Sequence, residues 1–506
     1  MRNRIAAAVL AAAALALTAC SGTSTDGGDT APTELSIATI GTPESFSPGN
    51  FGTGPTTLFL QPVYDTLIRN DNEGEPGANI ATEWSYDDTQ TELTLTLRDD
   101  VTFTDGAALD AEAVKANLEF AKQGTGEAAG QLRFIDSVEA TDATHVTITL
   151  SAPDSSLLPN LGGTAGSLAS PEALGTEELN TQPVGSGPYV LDESASQTGA
   201  KYVYTRNKDY WNPDDFPFDS ITATVFNDNT AILNALQSGQ VDFSTVTQKD
   251  SASLEAAGLT IESFPAYTVS GLYLFDREGT IVPALGDVRV RQALNLALDK
   301  ESILDVVYGG VGTATSQSFS VSSDVFDPAL DEEYAYNVEK AKGLLADAGY
   351  ADGFSLPMPD VSPVFPDQQA AVSEALTAIG VTPDYQPVNG ETFISDLLSA
   401  KYPAAIFGLN TQRPWDFAQL ALTPEALWNT FHVADPTIVS LVDEAQGQTA
   451  EEQTATFREL NEYIVDQAWF APYIQSNNLF AVSSDISVTP QKFSTVPPIW
   501  NFAPAE

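Results

Sequence analysis

A chain of 506 residues, 42% of them hydrophobic, exceeds what one core supports, since single cores stop growing at about 250 to 300 residues. With 69 Asp and Glu against 21 Lys and Arg, the net charge is −48, a field that disfavours nucleic acid and anionic lipid headgroups as partners. The acids are spread along the chain, which reads as a solvated surface, and a lone cysteine rules out an internal disulfide framework.

The chain opens with Arg2 and Arg4, then an apolar run from Ile5 to Leu17, then Leu17-Thr18-Ala19-Cys20. A basic head before an apolar run too short for a comfortable membrane span predicts a secretory signal peptide over residues 1–19. Its removal takes Arg2 and Arg4 away and leaves a net charge of −50. Leu-Thr-Ala-Cys resembles the bacterial lipobox, whose cysteine is acylated. Cys20 is therefore the expected lipidation site, and a diacylglyceryl with an N-acyl chain such as palmitate suffices for stable anchoring. Residues 20–33, rich in Ser, Thr, Gly and Asp, are expected to form a flexible tether.

The elements follow in order. Leu35, Ile37 and Thr39 alternate with Ser36 and Ala38, predicting a strand that ends at Gly41-Thr42-Pro43. Thr91 to Leu97 and His145 to Leu150 alternate more cleanly and read as half-buried antiparallel strands. Asp110 is an N-cap for a helix through Phe120, with Glu112 complementing the dipole. A short helix from Ala231 to Ser238 stops at Gly239. Asp287 caps a helix with the stripe Val290, Ala293, Leu294, Ala297 and Leu298, and Asp299 caps the next, which ends at Gly309-Gly310. Asn337 caps a helix burying Val338, Ala341, Leu344, Leu345 and Ala348 before Gly349. Mixed strands and helices without a fixed repeat indicate an α/β or α+β protein of two or more lobes.

Seven segments together resemble the extracellular solute-binding proteins of peptide, nickel and oligosaccharide importers, the family of the periplasmic dipeptide- and oligopeptide-binding proteins. They are Tyr64-Asp65-Thr66-Leu67 with Ala81 to Trp84, Leu97 to Gly106, Pro183 to Tyr189, Arg206 to Trp211, Leu236 to Asp242, Val290 to Lys300, and Ala341 to Tyr350. They stand in the family's order across nearly the whole mature chain. Most have a local reading as fold-forming: Asp105-Gly106 is turn chemistry, and Gly185-Ser186-Gly187-Pro188 is a tight crossing into the strand Tyr189 to Leu191.

The resemblance implies an α/β, two-lobed periplasmic-binding-protein-like fold with a ligand cleft between the lobes. The first lobe would span 34–275 and 480–506, with an extra subdomain at about 66–182, and the second 276–479. Crossings near Leu272 to Phe275 and Gln475 to Ala481 would form the hinge. The implied function is the substrate-binding component of an ABC importer, acting as a monomer without a cofactor. It would hand a small solute, with peptides favoured, to a permease and its ATPase subunits.

In peptide-binding members an Asp in the second lobe pairs with the ligand's α-amino group. The nearest match is Phe407 to Phe417, which makes Asp416 the candidate; its alternative role is capping a helix from Phe417 to Leu422. Arg413 would suit an anionic ligand group or a surface ion pair, Asn410 lies in the same segment, and Trp415 and Trp428 are candidate cleft walls or core residues. By resemblance the loop Thr42 to Ser47, through Phe46, and Tyr273 at the presumed hinge are further ligand candidates.

Other chemistries fit poorly. Val184-Gly185-Ser186-Gly187-Pro188 lacks the first glycine of a Gly-x-Ser-x-Gly elbow. Only His145 and His432 are available for zinc, and His145 is expected at the surface of a strand. Asn70 to Glu75 resembles the start of a calcium loop, but Ala81 stands where the twelfth-position Glu would be, so a hairpin turn is predicted. A secreted hydrolase is the rival from another class; nickel chelates and oligosaccharides are the rival ligands within this one.

Overall fold

The computed structural model describes residues 33–505, save Glu44, Thr53, Glu391 and Gln412. The leader, Cys20 and the tether up to residue 32 lie outside the described residues. Among the described residues no helix is long and apolar enough to cross a membrane.

The strand Glu34–Ile40 buries Leu35, Ile37 and Ala38 and runs parallel to two others, Ser220–Phe226 on one side and Phe243–Val246 on the other. Parallel pairing requires long returns between strands. Here the short return is the helix Asn229–Gln237, which Asp228 caps by accepting from the Ala231 N–H at 2.9 Å. That helix begins two residues before the predicted start, because the cap is Asp228.

These strands belong to a nine-stranded sheet. Its spatial order is Ala404–Asn410, Thr260–Leu274, Ala471–Val482, Phe243–Val246, Glu34–Ile40, Ser220–Phe226, Lys201–Arg206 and Tyr189–Leu191, with Thr313–Ala314 also on Ala471–Val482. The two long strands, Thr260–Leu274 and Ala471–Val482, run antiparallel and join the two halves of the molecule. Their register breaks between Pro265 and Val269. There Tyr267 takes a positive φ of 57°, a left-handed conformation that is costly for a tyrosine. The break comes a few residues before the crossing expected at Leu272 to Phe275.

Among the described residues there are four large cores, with a small fifth under the helix Asn229–Gln237. One, rich in aromatics, packs Phe46, Tyr189, Tyr202, Tyr204, Phe243, Phe480 and Phe502 together. A second lies under the four-stranded antiparallel sheet formed by Ala81–Tyr86, Glu92–Leu97, His145–Leu150 and Ile135–Ala140. The helix Ala111–Lys122 covers it, and the predicted cap Asp110 accepts from Ala113 N at 3.0 Å. The other two fill the second half, one around the helices Val288–Ala297 and Val338–Asp347, the other around Tyr273, Phe275 and Phe417. Their caps, Asp287 and Asn337, are those read from the sequence. The architecture is the expected α/β, two-lobed one.

The motifs meet around one buried carboxylate. Asp65 accepts from Tyr210 Oη at 2.9 Å, from Ser186 Oγ at 2.9 Å and from Trp211 Nε1 at 3.3 Å, so two distant segments converge on it. The Arg98 guanidinium lies 3.5 Å from the centroid of the Trp211 ring and ties a third to the cluster. Gly185 and Gly187 pass directly against Val63: a Cβ on Gly185 would stand 1.9 Å from the Val63 carbonyl oxygen. The expected tight crossing is thus a contact that only glycine permits.

Asn70 to Glu75 is the predicted turn, linking the strands Ile68–Asn70 and Pro76–Ala78, with Asp71 Oδ1 accepting from the Glu73 and Glu75 N–H groups at 2.9 Å each. Among the described residues no group of three or more His, Cys, Asp or Glu could hold a metal ion.

Candidate functional site

The helix Pro414–Ala421 starts where the sheet-edge strand Ala404–Asn410 ends, and Pro414 suits its first turn because its missing N–H has no partner there. This short helix carries three candidates toward the first half of the molecule. Arg413 is the residue before it, and its Nη2 donates to the Gly74 carbonyl at 2.7 Å, with the guanidinium 4.4 Å from the Phe493 ring centroid. Trp415 is buried and its Nε1–H donates to Asp154 Oδ1 at 3.1 Å. Asp416 lies in the first turn of this helix. The expected cap role therefore does not hold, because Arg413 occupies the N-cap and the helix begins three residues before Phe417.

Between the two halves lies a cavity of about 150 Å³, lined by Arg413 and Asp416 from one side and by Gln61, Tyr64, Asn70, Gln131, Thr164, Lys492, Phe493 and Trp500 among others from the opposite side. A second pocket of about 120 Å³ shares Arg413, Lys492 and Phe493 and adds Glu75, Ser156, Asp324 and Trp415. The partition between them is under backbone strain. Phe493 has φ 64°, and its ring faces Tyr267, itself at φ 57°, with centroids 5.8 Å apart. Gly74 fits against Phe493 only because it lacks a side chain, since a Cβ there would stand 2.7 Å from the ring. Left-handed non-glycine residues cluster at sites that the surrounding structure over-determines.

The electrostatics of this seam are those of carboxylates short of solvent. Burial pushes the Asp416 carboxyl up from its ordinary range, with the Ser156 hydroxyl and the Arg413 charge pulling back. Asp154 is pushed up to about 6, first by burial and then by the negative charge of Asp416, against the Ser156 N–H, Arg133 and Trp415. Burial lowers Arg413, which Asp416 and Glu75 partly offset.

The remaining candidates are not brought to this cavity. Phe46 is buried in the aromatic core, 6.0 Å from the Tyr202 ring, and its carbonyl accepts from Tyr64 Oη at 2.6 Å. Tyr273 is fully buried among Phe275, Phe407 and Phe470, its hydroxyl donating to Val269 O at 2.8 Å. Trp428 packs against Phe407 with ring centroids 4.6 Å apart. Asn410 ends the edge strand and pairs in register with Thr268. His145 is half-exposed on its strand, with Nδ1 2.9 Å from Asp142, and His432 Nδ1 lies 2.8 Å from the Pro424 carbonyl.

Sequence reasoning missed the lining from the first half: Asn70, Gln131, Thr164, Lys492 and Phe493. They come from four separate loops and ends, and no local pattern joins them. Only the hairpin turn at Gly74 left a trace in the sequence.

Residues 75–426 match the profile of the bacterial extracellular solute-binding proteins, family 5 Middle. The chain belongs to this family. Over 296 residues it is 31% identical to the glutathione-binding protein GsiB of Salmonella paratyphi A, a match covering 58% of this chain and 57% of that protein. The chain thus aligns with a little over half the length of the curated relatives it matches. Among solved structures, HbpA2 from Haemophilus parasuis superposes with a TM-score of 0.83 at 22% identity, covering 94% of this chain and 100% of that one. DppA from Helicobacter pylori, in complex with the peptide STSA, superposes with a TM-score of 0.75 at 20% identity, covering 94% and 99%. At these identities the likeness is one of fold.

Proposed function

We propose that this protein is the solute-binding component of an ABC importer, capturing a peptide or peptide-like solute between its lobes and delivering it to a membrane permease. The observation that carries the reading is the interlobe cavity, where Asp416 and Arg413 of one half meet a polar wall of the other. A desolvated carboxylate at such a seam suits a ligand ammonium, through charge-assisted hydrogen bonds that strengthen as water is excluded. The glutathione-binding and peptide-complexed relatives favour peptides over sugars or metal chelates as the solute.

Release and capture would turn on the two long strands, with the register break at Pro265 to Val269 as the flexible point. The lobes would be 34–275 with 480–506 and 276–479, the subdomain at about 66–182 forming one rim. Ligand binding shifts the population toward the closed form, whose surface the permease reads. Cys20, acylated, would tether a monomeric receptor beside its permease and raise its effective concentration there. No catalytic step is assigned to it.

The test is intrinsic Trp fluorescence of the purified mature protein against di- to pentapeptides, glutathione, oligosaccharides and nickel chelates. Saturable quenching by peptides is expected. A response to sugars alone overturns the peptide assignment, and turnover of any ligand overturns the binding role. Incorporation of a palmitate analogue that Cys20→Ala abolishes is the corresponding check on the anchor.

A further inference from the structure

The central strand Glu34–Ile40 stays paired with Ser220–Phe226 as far as Ile40 and Phe226, and Phe243–Val246 stays paired with Ala471–Val482 as far as Val246 and Leu479. Glu34–Ile40 and Phe243–Val246, by contrast, pair with each other in register at Ile37 and Phe243 alone. Just beyond that point the Ser244 hydroxyl reaches across and donates to the Ala38 carbonyl at 3.0 Å. The nine-stranded sheet thus splits at the carboxyl ends of two parallel strands, the place where open sheets accept ligands. The split holds a pocket of about 290 Å³, nearly twice the volume of the interlobe cavity.

Leu58, Ile232, Phe243 and Val496 form its buried apolar wall. Ile40 also lines it and is 55% exposed, although Ile37 and Ala38 of the same strand are buried. Among the described residues the only charged one in the lining is Asp250, whose carboxylate accepts from the Thr247 hydroxyl. The pocket shares a partition with the interlobe cavity: Gly54, Thr57 and Thr495 line the cavity, while their chain neighbours Pro55, Leu58 and Val496 line the pocket. Thr247 of the lining is followed by Gln248, which packs against Gly309 of the second half so closely that a Cβ there would stand 3.0 Å from Gln248 Cγ. Pocket and cavity therefore lie along one seam.

We infer that the pocket in the split sheet is a subsite for one bulky apolar side chain, of aromatic size, on the captured peptide. The inference rests on the reading of this chain as a peptide-capturing protein. A cavity of about 150 Å³ lined by aliphatic and aromatic side chains holds a benzene ring, so the larger pocket admits an indole. Filling it takes the ligand ring and the Ile40 side chain out of water together. A ligand carboxylate placed there would lose its hydration with no cation in the lining to replace it. Asp416, Arg413 and Lys492 line the neighbouring cavity, so charge and apolar bulk are read on two sides of one partition.

The test is calorimetric titration of the mature protein with pentaalanine and with its variants carrying a single Trp at each position in turn. Trp at one position is expected to bind at least about tenfold more tightly than pentaalanine, and Glu at that position more weakly than pentaalanine. Ile40→Asp, a change at an exposed position, should erase the Trp gain and leave the affinity for pentaalanine unchanged, whereas Ile40→Leu should keep the gain, with thermal melting of each variant confirming the fold. No gain at any position, an equal gain at every position, or a gain that survives Ile40→Asp overturns the inference while leaving peptide capture standing. If none of these peptides binds, the inference falls, and peptide capture falls with it only when the wider peptide library is also silent.

Discussion

Asp65 and Asp416 are both carboxylates withdrawn from solvent, and burial raises the pKa of each. Around Asp65 the protein supplies a donor for every direction: two hydroxyls and an indole, from segments 121 to 146 residues away. Around Asp416 it supplies a hydroxyl and a nearby guanidinium, then leaves the carboxylate facing a cavity. A saturated buried charge organises a fold, whereas an under-saturated one at a seam between lobes is available to a ligand. Asp154 stands between these cases, tied to Trp415 across the seam yet repelled by Asp416.

This contrast is open to experiment. Replacing Asp65 with Ala strands three buried donors, at about 1 to 3 kcal/mol each, so a loss of roughly 3 kcal/mol or more is expected from urea unfolding. Asp65→Asn should rescue little, because its Nδ2 would face donors on one side. An unfolding midpoint near that of the unmodified protein would remove Asp65 from its organising role.

Asp416→Asn should act on the other side of the contrast. Its effect on unfolding is expected to stay below about 1 kcal/mol, while affinity for cationic peptides falls at least about tenfold, or about 1.4 kcal/mol. Calorimetric titration beside urea unfolding separates the two, and a variant that unfolds easily but binds normally would reverse the assignment.

The intermediate residue predicts a pH effect. Because the folded Asp154 carboxyl titrates near about 6, above its ordinary 3.8, protonation is favoured in the folded protein. Its contribution to stability is full below the ordinary value and is lost as pH rises through about 6. Asp416, also raised, acts with the same sign. On going from about pH 7 to about pH 4 the melting temperature of the ligand-free protein should therefore gain about 1 to 2 °C relative to that of its Asp154→Asn variant. Matching pH profiles for the two proteins would show that Asp154 is not the titrating group. The smallest effect is expected at His145, whose ring contacts the exposed Asp142: His145→Ala should stay within about 0.5 kcal/mol in urea unfolding.

The sequence by itself determined the local rules and the family scaffold. Asp110, Asp287, Asp299 and Asn337 cap the helices they were expected to cap, since a cap needs only a side-chain oxygen and the N–H groups two or three residues on. Alternation at Glu92–Leu97 and His145–Leu150 was legible because burial on one face repeats every second residue. Of the proposed contacts, Asp416 and Arg413 do line the interlobe cavity, while Phe46, Tyr273 and Trp428 lie in cores. An aromatic side chain carries the same signature in a cleft wall as in a packed interior.

Only the tertiary structure decided what faces Asp416. Asn70, Gln131, Thr164 and Phe493 are separated by up to 423 positions along the chain, and their meeting depends on three early segments and the C-terminal one packing against the same seam. The parallel placement of Glu34–Ile40 between Ser220–Phe226 and Phe243–Val246 is of the same kind. Helix periodicity and capping act within a few residues, so one segment suffices to reveal them. A cavity is the space left after distant segments have packed, and no single segment contains its shape.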